Sequence, residues 1–263
     1  MADQEQGNED RTLKSVENTF EILQTLKRVD GAGLSELAEL VGMSHSSVYH
    51  YLLTLQKQGY VVKHDKEYFL GVRLFSLGGY ARQNQDLYSE SREKVNELAH
   101  QTGETARLII EYQGHCITLY QSSEAETTTP DTYAGFSSKP HSTSAGKAIL
   151  AAVTVEKAEQ LLGAHELTER TDNTITDREK LYRELEAIRS QGFAIDDEEC
   201  FEGWFCVADS ITTPDGTVLG AISVSAPKHR IDPEPFADET VPLLNNATGV
   251  LGINHTYSKW EAE

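Results

Sequence analysis

Three short helical patterns and a hairpin pattern follow one another near the start of this chain, and together they restrict the fold that it can adopt. The first helical pattern places apolar residues three and four positions apart: Leu13, Val16, Phe20, Leu23 and Leu26. Gly31 and Gly33 end this helix, and residues 35–41 predict a short second helix that stops at Gly42. Short helices joined by a tight, glycine-containing turn are typical of a helix-turn-helix.

A third helix and a hairpin extend this pattern to a winged helix-turn-helix. Ser44 or Ser46 can cap the third helix, which ends at Gly59. Two apolar runs, residues 60–63 and 68–70, flank a polar turn and predict a β-hairpin. The hairpin would form the wing beside a recognition helix that enters the major groove of DNA.

The third helix carries two kinds of surface. Val48, Leu52 and Leu55 share one face and predict its buried side. The other faces carry small or hydrogen-bonding side chains suited to base edges and phosphates: Ser46, Ser47, Tyr49, His50 and Thr54. Further DNA contacts are predicted at Ser44 and at five cationic side chains: Arg11, Lys14, Lys57, Lys63 and Lys66. The alternative is a winged-helix module that contacts only proteins.

The charge of the chain is divided unevenly along the sequence. The whole chain has 23 Lys and Arg against 42 Asp and Glu, and its net charge of −19 by itself argues against a polyanionic partner. Residues 11–75, however, hold eight cations and seven anions, a net charge of +1, so the remainder carries −20. This division predicts two domains with different partners. It also suggests a halophilic cytosol, whose salt would screen the repulsion between the acidic body and DNA.

After the predicted winged helix, the sequence predicts a linker and a second domain. Gly78-Gly79 is expected to break the chain. The residues that follow predict a linker helix and then an α+β domain with a mostly antiparallel sheet. The predicted organisation is a flexible tail, a winged helix-turn-helix domain, a linker helix and a C-terminal domain: residues 1–10, 11–75, 76–86 and 87–263.

Two parts of the C-terminal domain carry candidate binding residues. His141–Lys147 precedes an apolar helix whose free N–H groups can hold an anion, although plain N-capping explains its hydroxyl residues equally well. Ser223 and Ser225 lie two apart on a predicted strand and therefore face one side. Asp196 and the four residues that follow it, up to Cys200, can complete a small polar pocket with them, together with Trp204 and Cys206. An acidic cluster in so acidic a chain is also typical of a solvated loop.

Catalysis, metal binding and membrane insertion find little support in the sequence. The chain has no G-x-S-x-G or H-E-x-x-H motif, so no enzyme and no cofactor is predicted. No regular ligand spacing, and hence no metal site, is found among the candidate ligands: Cys200, Cys206, His141, His165 and His229. Three cysteines, a polar acidic N-terminus and the absence of a long apolar run predict a cytoplasmic protein without a membrane partner.

Several motifs follow one another in a characteristic order along the chain. The N-terminal motifs are Leu34–Ala38, Ser46–Val48, Leu52–Leu55, Tyr68–Gly71 and Leu74. The C-terminal motifs are His141–Ala148, Gly192–Glu199, Gly203, Cys206–Ala208 and Gly220–Pro227. Over about residues 11–255, their order and spacing resemble the isocitrate-lyase-regulator (IclR) family of transcriptional regulators.

This resemblance implies a winged-helix DNA-binding domain, a linker helix and a GAF-like effector-binding domain, assembled as a homodimer or a dimer of dimers. It implies a ligand-responsive repressor or activator of a catabolic pathway. Such a regulator reads a pseudo-palindromic operator in double-stranded DNA and senses a small carboxylate, sugar acid or aromatic acid. The positions that match the family's effector pocket are Ser144, Ala145, Asp196, Trp204, Cys206, Ser223 and Ser225.

The chain departs from the family at His50, where arginine is common, and fewer cations predict fewer phosphate contacts. Two alternatives to a ligand-responsive regulator stay open. The first is an enzyme that converts a small acid with Cys200 or Cys206 as nucleophile. The second is a signalling module whose winged helix does not touch DNA.

Overall fold

The computed structural model describes residues 12–124, 133–163 and 166–262 of the 263-residue chain. The chain divides into two compact units, one up to Ala81 and one from Arg82 onwards. Each unit has its own hydrophobic core. The predicted phosphate contact Arg11 and the metal-ligand candidate His165 lie outside the described residues.

The N-terminal unit is a winged helix-turn-helix, as the sequence predicts. Its elements are α1 (Lys14–Val29), β1 (Ala32–Gly33), α2 (Leu34–Leu40), α3 (His45–Lys57), β2 (Val61–His64) and β3 (Glu67–Leu70). Strand β3 pairs antiparallel with both β1 and β2. Ser44 caps α3, because its hydroxyl accepts the N–H of Ser47. Val48, Leu52 and Leu55 are buried as predicted, which leaves the other faces of α3 for solvent.

The apolar stripe of α1 is buried only in part. Ile22, Thr25 and Leu26 reach the core. Three side chains of the predicted stripe are instead 70%, 47% and 58% exposed: Leu13, Val16 and Phe20. The start of α1 therefore presents an uncovered apolar strip.

The expected break at Gly78-Gly79 is wrong. Both glycines lie inside a continuous helix, α4 (Arg73–Gln83), and neither has a positive φ. Glycine weakens a helix by about 1 kcal/mol relative to alanine but does not forbid it. No residue of α4 is buried. The large apolar side chains on this helix and just before it are exposed: Val72, Phe75, Leu77 and Tyr80.

The C-terminal unit is an α+β domain built on an antiparallel sheet, as predicted. Its helices are α5 (Asp86–Thr102), α6 (Ser144–Ala152), α7 (Val155–Leu162), α8 (Arg178–Gln191) and α9 (Pro233–Ala262). Its strands are β4 (Thr105–Tyr112), β5 (His115–Ser123), β6 (Ser137–Ser138), β7 (Ala194–Asp197), β8 (Trp204–Thr212) and β9 (Val218–Pro227). The six strands follow the order β6-β5-β4-β9-β8-β7, and neighbouring strands are antiparallel.

Side-chain alternation along the strands gives this sheet two packed faces. Ala106 and Leu108 of β4 join a core with α5 and α9, whereas Ile109 joins a second core with α6 and α8. The sheet is therefore covered by helices on both faces. In the part of the chain that the structure describes, no helix is long and apolar enough to cross a lipid bilayer.

Sequence reasoning missed three elements of this unit, namely β6, β7 and α7. The capping-box sequence Thr176-Asp177-Arg178-Glu179 predicts Thr176 as the cap of α8. This prediction is wrong, because Asp177 is the N-cap and its carboxylate accepts the N–H of Lys180 at 2.8 Å. Asp and Thr are both good caps, so the local sequence does not separate the two.

Candidate functional site

A cavity of about 60 Å³ lies between the sheet and the first turn of α6. The register of the strands brings together the side chains on the sheet side of this cavity. Asp196 on β7 lies opposite Cys206 on β8, and Cys206 lies opposite Ser225 on β9. Ser223 shares the face of Ser225 and lies opposite Arg107 on β4. A row of polar side chains therefore crosses four strands beneath α6.

All seven predicted effector-binding residues line this cavity: Ser144, Ala145, Asp196, Trp204, Cys206, Ser223 and Ser225. Ser144 and Ala145 belong to the first turn of α6, which Thr143 caps by accepting the N–H of Gly146. A Cβ on Gly146 would lie 2.2 Å from the carbonyl oxygen of Pro140, so glycine alone fits there. This close approach seats the start of α6 against the preceding turn and holds both residues at the cavity.

Sequence reasoning missed other parts of the wall. Arg107 is 5% exposed, and its Nη1 donates a 2.8 Å hydrogen bond to the Oγ of Ser225. The signal that could have found it is a charged residue inside an otherwise apolar strand. Further lining residues that sequence reasoning missed are Ile109, Cys116, Thr118, Phe136, Ser138 and Phe201. Thr143 and Cys200, which also line the cavity, belong to the two stretches that the sequence singles out. All three cysteines of the chain thus meet at this cavity.

Asp196 organises the loop at one end of the cavity. Its Oδ1 accepts the backbone N–H of Glu199 at 2.7 Å and that of Cys200 at 3.2 Å. Burial, reinforced by the negative charge of Glu199, raises the pKa of Asp196 to about 7. The two N–H donors and the Lys147 ammonium oppose this shift without cancelling it. At neutral pH the side chain is therefore near the midpoint between acid and carboxylate.

Lys147 forms a buried ion-pair cluster beside Asp196. Lys147 is 1% exposed, and its Nζ donates to the carboxylates of Glu199 and, at 3.1 Å, Glu184. Burial raises the pKa of Glu199, and the ion pair with Lys147 acts against that shift. Because a buried ammonium is tolerated when it is paired, the contacts of Lys147 indicate a structural role.

The thiols of the cavity are held in their neutral form. Burial raises the pKa of Cys116 and of Cys200 to about 12 and also raises the pKa of Cys206. A nucleophilic cysteine needs a lowered pKa, so these thiols give no support to the enzyme alternative. Among the residues that the structure describes, no group of three or more His, Cys, Asp and Glu side chains could hold a metal ion.

The predicted DNA-binding residues on α3 lie mostly on its exposed faces. The exposed ones are Ser46, Tyr49, His50 and Thr54. Ser47 is half-buried, and its hydroxyl lies 2.9 Å from that of the capping Ser44. The Thr54 hydroxyl donates to the carbonyl of His50 within the helix, at 2.9 Å. The rings of Tyr49 and His50 lie edge to face with centroids 5.8 Å apart.

The four predicted cationic contacts that the structure describes are exposed: Lys14, Lys57, Lys63 and Lys66. Lys57 is the last residue of α3, and Lys63 and Lys66 lie on the β2–β3 hairpin. The Lys63 Nζ lies 5.0 Å from the centroid of the Tyr68 ring, a cation–π contact that steadies the side chain. Lys14 begins α1 and lies 3.4 Å from a carboxylate oxygen of Glu17.

Comparison with known proteins covers both units. A family model described as IclR helix-turn-helix domain matches residues 15–65, and one described as bacterial transcriptional regulator IclR C-terminal matches residues 80–250. The chain is 33% identical over 251 residues to the probable HTH-type transcriptional regulator ArcR of Halobacterium salinarum, covering 94% of this chain and 95% of that protein.

Two further similarities extend over almost the whole chain. The HTH-type transcriptional regulator KdgR of Escherichia coli is 31% identical over 259 residues, which covers 98% of each protein. The crystal structure of the Thermotoga maritima IclR has a TM-score of 0.67 and 29% identity. It covers 92% of this chain and 100% of that chain.

Proposed function

Because the chain belongs to the IclR family of ligand-responsive transcriptional regulators, we propose that it controls a catabolic pathway, as repressor or activator, in response to a small acid. The family consists of regulators and not enzymes. The observation that carries the proposal is the cavity, because all seven positions assigned to the effector line it. The proposed site of action is the cytoplasm.

Operator DNA would be bound by α3 and the β2–β3 hairpin. Tyr49 and His50, whose rings are exposed, would contact base edges, where a sequence is read. Lys57, Lys63 and Lys66 would contact phosphates, which fix position without reading sequence. The charge division supports this arrangement, since the segment with a net charge of +1 contains all of these residues.

We also propose a homodimer or a dimer of dimers. The uncovered apolar strips on α1 and α4 are the support for this part of the proposal, because exposed large apolar side chains that follow one another are typical of an interface. A two-fold axis would present two α3 helices to half-sites about one helical turn apart, which requires a pseudo-palindromic operator.

The effector would act by binding one arrangement of the dimer more tightly than another. An acid that prefers the arrangement competent for DNA would strengthen operator binding, and an acid that prefers the other would weaken it. Candidate effectors are small carboxylates, sugar acids and aromatic acids. The hydroxyl groups of Ser223 and Ser225 and the N-terminal turn of α6 would supply their hydrogen bonds.

The test is a mobility shift of the full chain on the DNA upstream of its own gene, run in high salt. We expect a sequence-selective shift that one of the candidate acids strengthens or weakens. Ser225→Ala should retain the shift and lose the response, whereas Ser89→Ala, an exposed serine on α5, should retain both. No sequence-selective shift, with or without the acids, would overturn the proposal.

A further inference from the structure

Phe136 and Phe201 come from opposite ends of the six-stranded sheet, yet their rings meet. Phe136 precedes β6, and Phe201 lies in the loop between β7 and β8. These strands stand at the two ends of the order β6-β5-β4-β9-β8-β7. The ring centroids lie 5.9 Å apart, with 41° between the ring planes. Both side chains are half-buried, and both line the cavity beneath α6.

This ring contact spans the middle of the sheet. Neighbouring strands lie about 4.8 Å apart, so β5 and β8 are separated by roughly 14 Å across β4 and β9. The two middle strands carry Arg107, Ser223 and Ser225, which line the same cavity. The two rings therefore form a cover over these side chains, beside the first turn of α6.

Backbone hydrogen bonds hold Phe136 against β5. The Phe136 carbonyl accepts the N–H of Thr118 at 3.0 Å, and the N–H of the adjacent Gly135 donates to the Thr118 carbonyl at 2.8 Å. The Phe136 ring also lies edge to face with that of Tyr133, and their centroids are 6.4 Å apart. This half of the cover is therefore tied to the sheet.

Arg170 holds Phe201 at the other end of the contact. The guanidinium carbon of Arg170 lies 5.1 Å from the centroid of the Phe201 ring, a cation–π contact. The Arg170 Nε also donates to the carbonyl of Cys200 at 3.2 Å, and the Cys200 N–H donates to the Oδ1 of Asp196 at 3.2 Å. The loop that carries Phe201 is therefore secured through the residue that precedes it.

The space under this cover is small. A single water needs about 10–15 Å³ by the same measure, so about 60 Å³ holds roughly four to six groups of that size. An acid of about five non-hydrogen atoms, such as propionate, fits this space. An apolar cavity that holds a benzene ring measures about 150 Å³. A six-membered ring therefore needs more room than the covered cavity offers.

We propose that the contact between Phe136 and Phe201 sets the upper size limit of the effector, which is a short-chain monocarboxylate. The proposal rests on the proposed function, because it takes this cavity as the effector site. Neither phenylalanine is among the seven positions assigned by family resemblance, so two specificity-determining residues are added to that set. The proposal also narrows the candidate effectors, since aromatic acids and six-carbon sugar acids exceed the limit.

Calorimetric titration of the full-length chain with propionate and benzoate tests this limit. Both probes carry one carboxylate on an apolar body, so they differ mainly in size. We expect the wild-type chain to bind propionate roughly tenfold or more tightly than benzoate, because even a small mismatch in size costs a pocket about this factor. Phe136→Ala and Phe201→Ala should each gain affinity for benzoate, by roughly tenfold or more.

A gain of affinity for the larger acid separates a size limit from damage to the fold, which weakens binding. Phe201→Leu keeps most of the apolar bulk and should stay close to wild type. Phe236→Ala is the matched control, because Phe236 is half-buried and lies edge to face with Phe205 in the other core of this unit. It should leave the preference unchanged. Thermal unfolding of each variant shows whether it is folded.

Benzoate binding as tight as propionate binding in the wild-type chain would overturn the size limit, and so would an unchanged preference in both alanine variants. Binding of neither acid by any of these chains would also overturn it. Because these titrations contain no DNA, they decide the size limit whether or not an operator shift is seen. Failure of the proposed function would instead appear in the mobility shift.

Discussion

Asp196 and Glu199 are joined through the backbone, with the Glu199 N–H donating to the Asp196 Oδ1 at 2.7 Å. The Glu199 carboxylate then pairs with the buried ammonium of Lys147. One short loop therefore couples a carboxyl group of the cavity to an internal ion pair. The protonation of Asp196 and the integrity of the ion pair can be tested separately.

Asp196→Asn should flatten the pH dependence of stability. Burial raises the pKa of Asp196 to about 7, above its unfolded value of 3.8, so the folded chain holds this proton more tightly. The resulting stability is fully present below about pH 4 and is lost as the pH rises through about 7. Asparagine keeps the acceptor oxygen but does not titrate. The wild-type chain should therefore lose more free energy of unfolding over this range than the variant does.

The groups that act on the Asp196 carboxyl in the folded chain are the Glu199 carboxylate, the Lys147 ammonium and the backbone N–H groups of Glu199 and Cys200. The loss of unfolding free energy between about pH 4 and pH 7 should be larger in the wild type than in Asp196→Asn by a few kcal/mol, at about 1.4 kcal/mol per pKa unit. Urea denaturation at several pH values measures it. Asp215→Asn, in an exposed turn, is the control and should not flatten the slope. Parallel slopes for wild type and Asp196→Asn would contradict the prediction.

Lys147→Met should destabilise the C-terminal unit strongly. Removing the ammonium leaves the Glu199 carboxylate buried without its cation, which costs about 3–5 kcal/mol. The double variant Lys147→Met/Glu199→Gln should recover much of this loss, because no uncompensated charge is left. Urea denaturation checks both, with the exposed Lys180→Met as control. A double variant no more stable than the single one would be inconsistent with an ion-pair role.

Lys63→Ala and Lys66→Ala should weaken operator binding similarly for all sequences. Each lost phosphate contact should reduce the slope of log affinity against log salt by about 0.9. His50→Ala should instead relax the discrimination between operator and unrelated DNA. Binding titrations at several salt concentrations separate the two effects, with Lys94→Ala of α5, ion-paired to Glu97, as the control. If all three variants bind the operator as the wild type does, Lys63, Lys66 and His50 are not its DNA contacts and the prediction is wrong.

Phe20→Asp and Phe75→Asp should each shift the chain towards monomers. These side chains are 58% and 71% exposed, on the uncovered strips of α1 and α4, and a charge there opposes burial against a second copy. Light scattering coupled to size exclusion measures the mass. Ile253→Asp, on α9 and 49% exposed, is the control. An unchanged mass in both phenylalanine variants would place the interface elsewhere.

Low salt should destabilise the chain if its acidity is an adaptation to brine. A net charge of −19 repels itself when unscreened, whereas at 1 M salt the Debye length is about 3 Å. We therefore expect helical circular dichroism to fall on dialysis into dilute buffer and to return with potassium chloride. Sucrose serves as an uncharged control. Complete folding in dilute buffer would remove the halophilic interpretation.

The sequence predicts those parts of the site that depend on local rules. The spacing of Ser223 and Ser225 places both on one strand face, and the cap at Ser44 defines the start of α3. The sequence does not predict Arg107 as a lining residue of the cavity. Its place there depends on the pairing of β4 with β9, which lies more than a hundred residues further along the chain. A charged residue in a strand is normally expected to face solvent, and only the packing of α6 over the sheet reverses that expectation. The predicted break at Gly78-Gly79 is wrong for the opposite reason. The local preference of glycine for turns does not decide the structure there, because both residues lie inside a continuous helix.

The uncovered helix α4 has a consequence for how assembly can be followed. An 11-residue helix that buries none of its side chains and contains two glycines is marginal in water by itself. Its amide hydrogens should exchange rapidly in a monomer and slowly once a second copy covers it. Hydrogen–deuterium exchange over residues 73–83 would thus report subunit association without a covalent probe or a change of sequence.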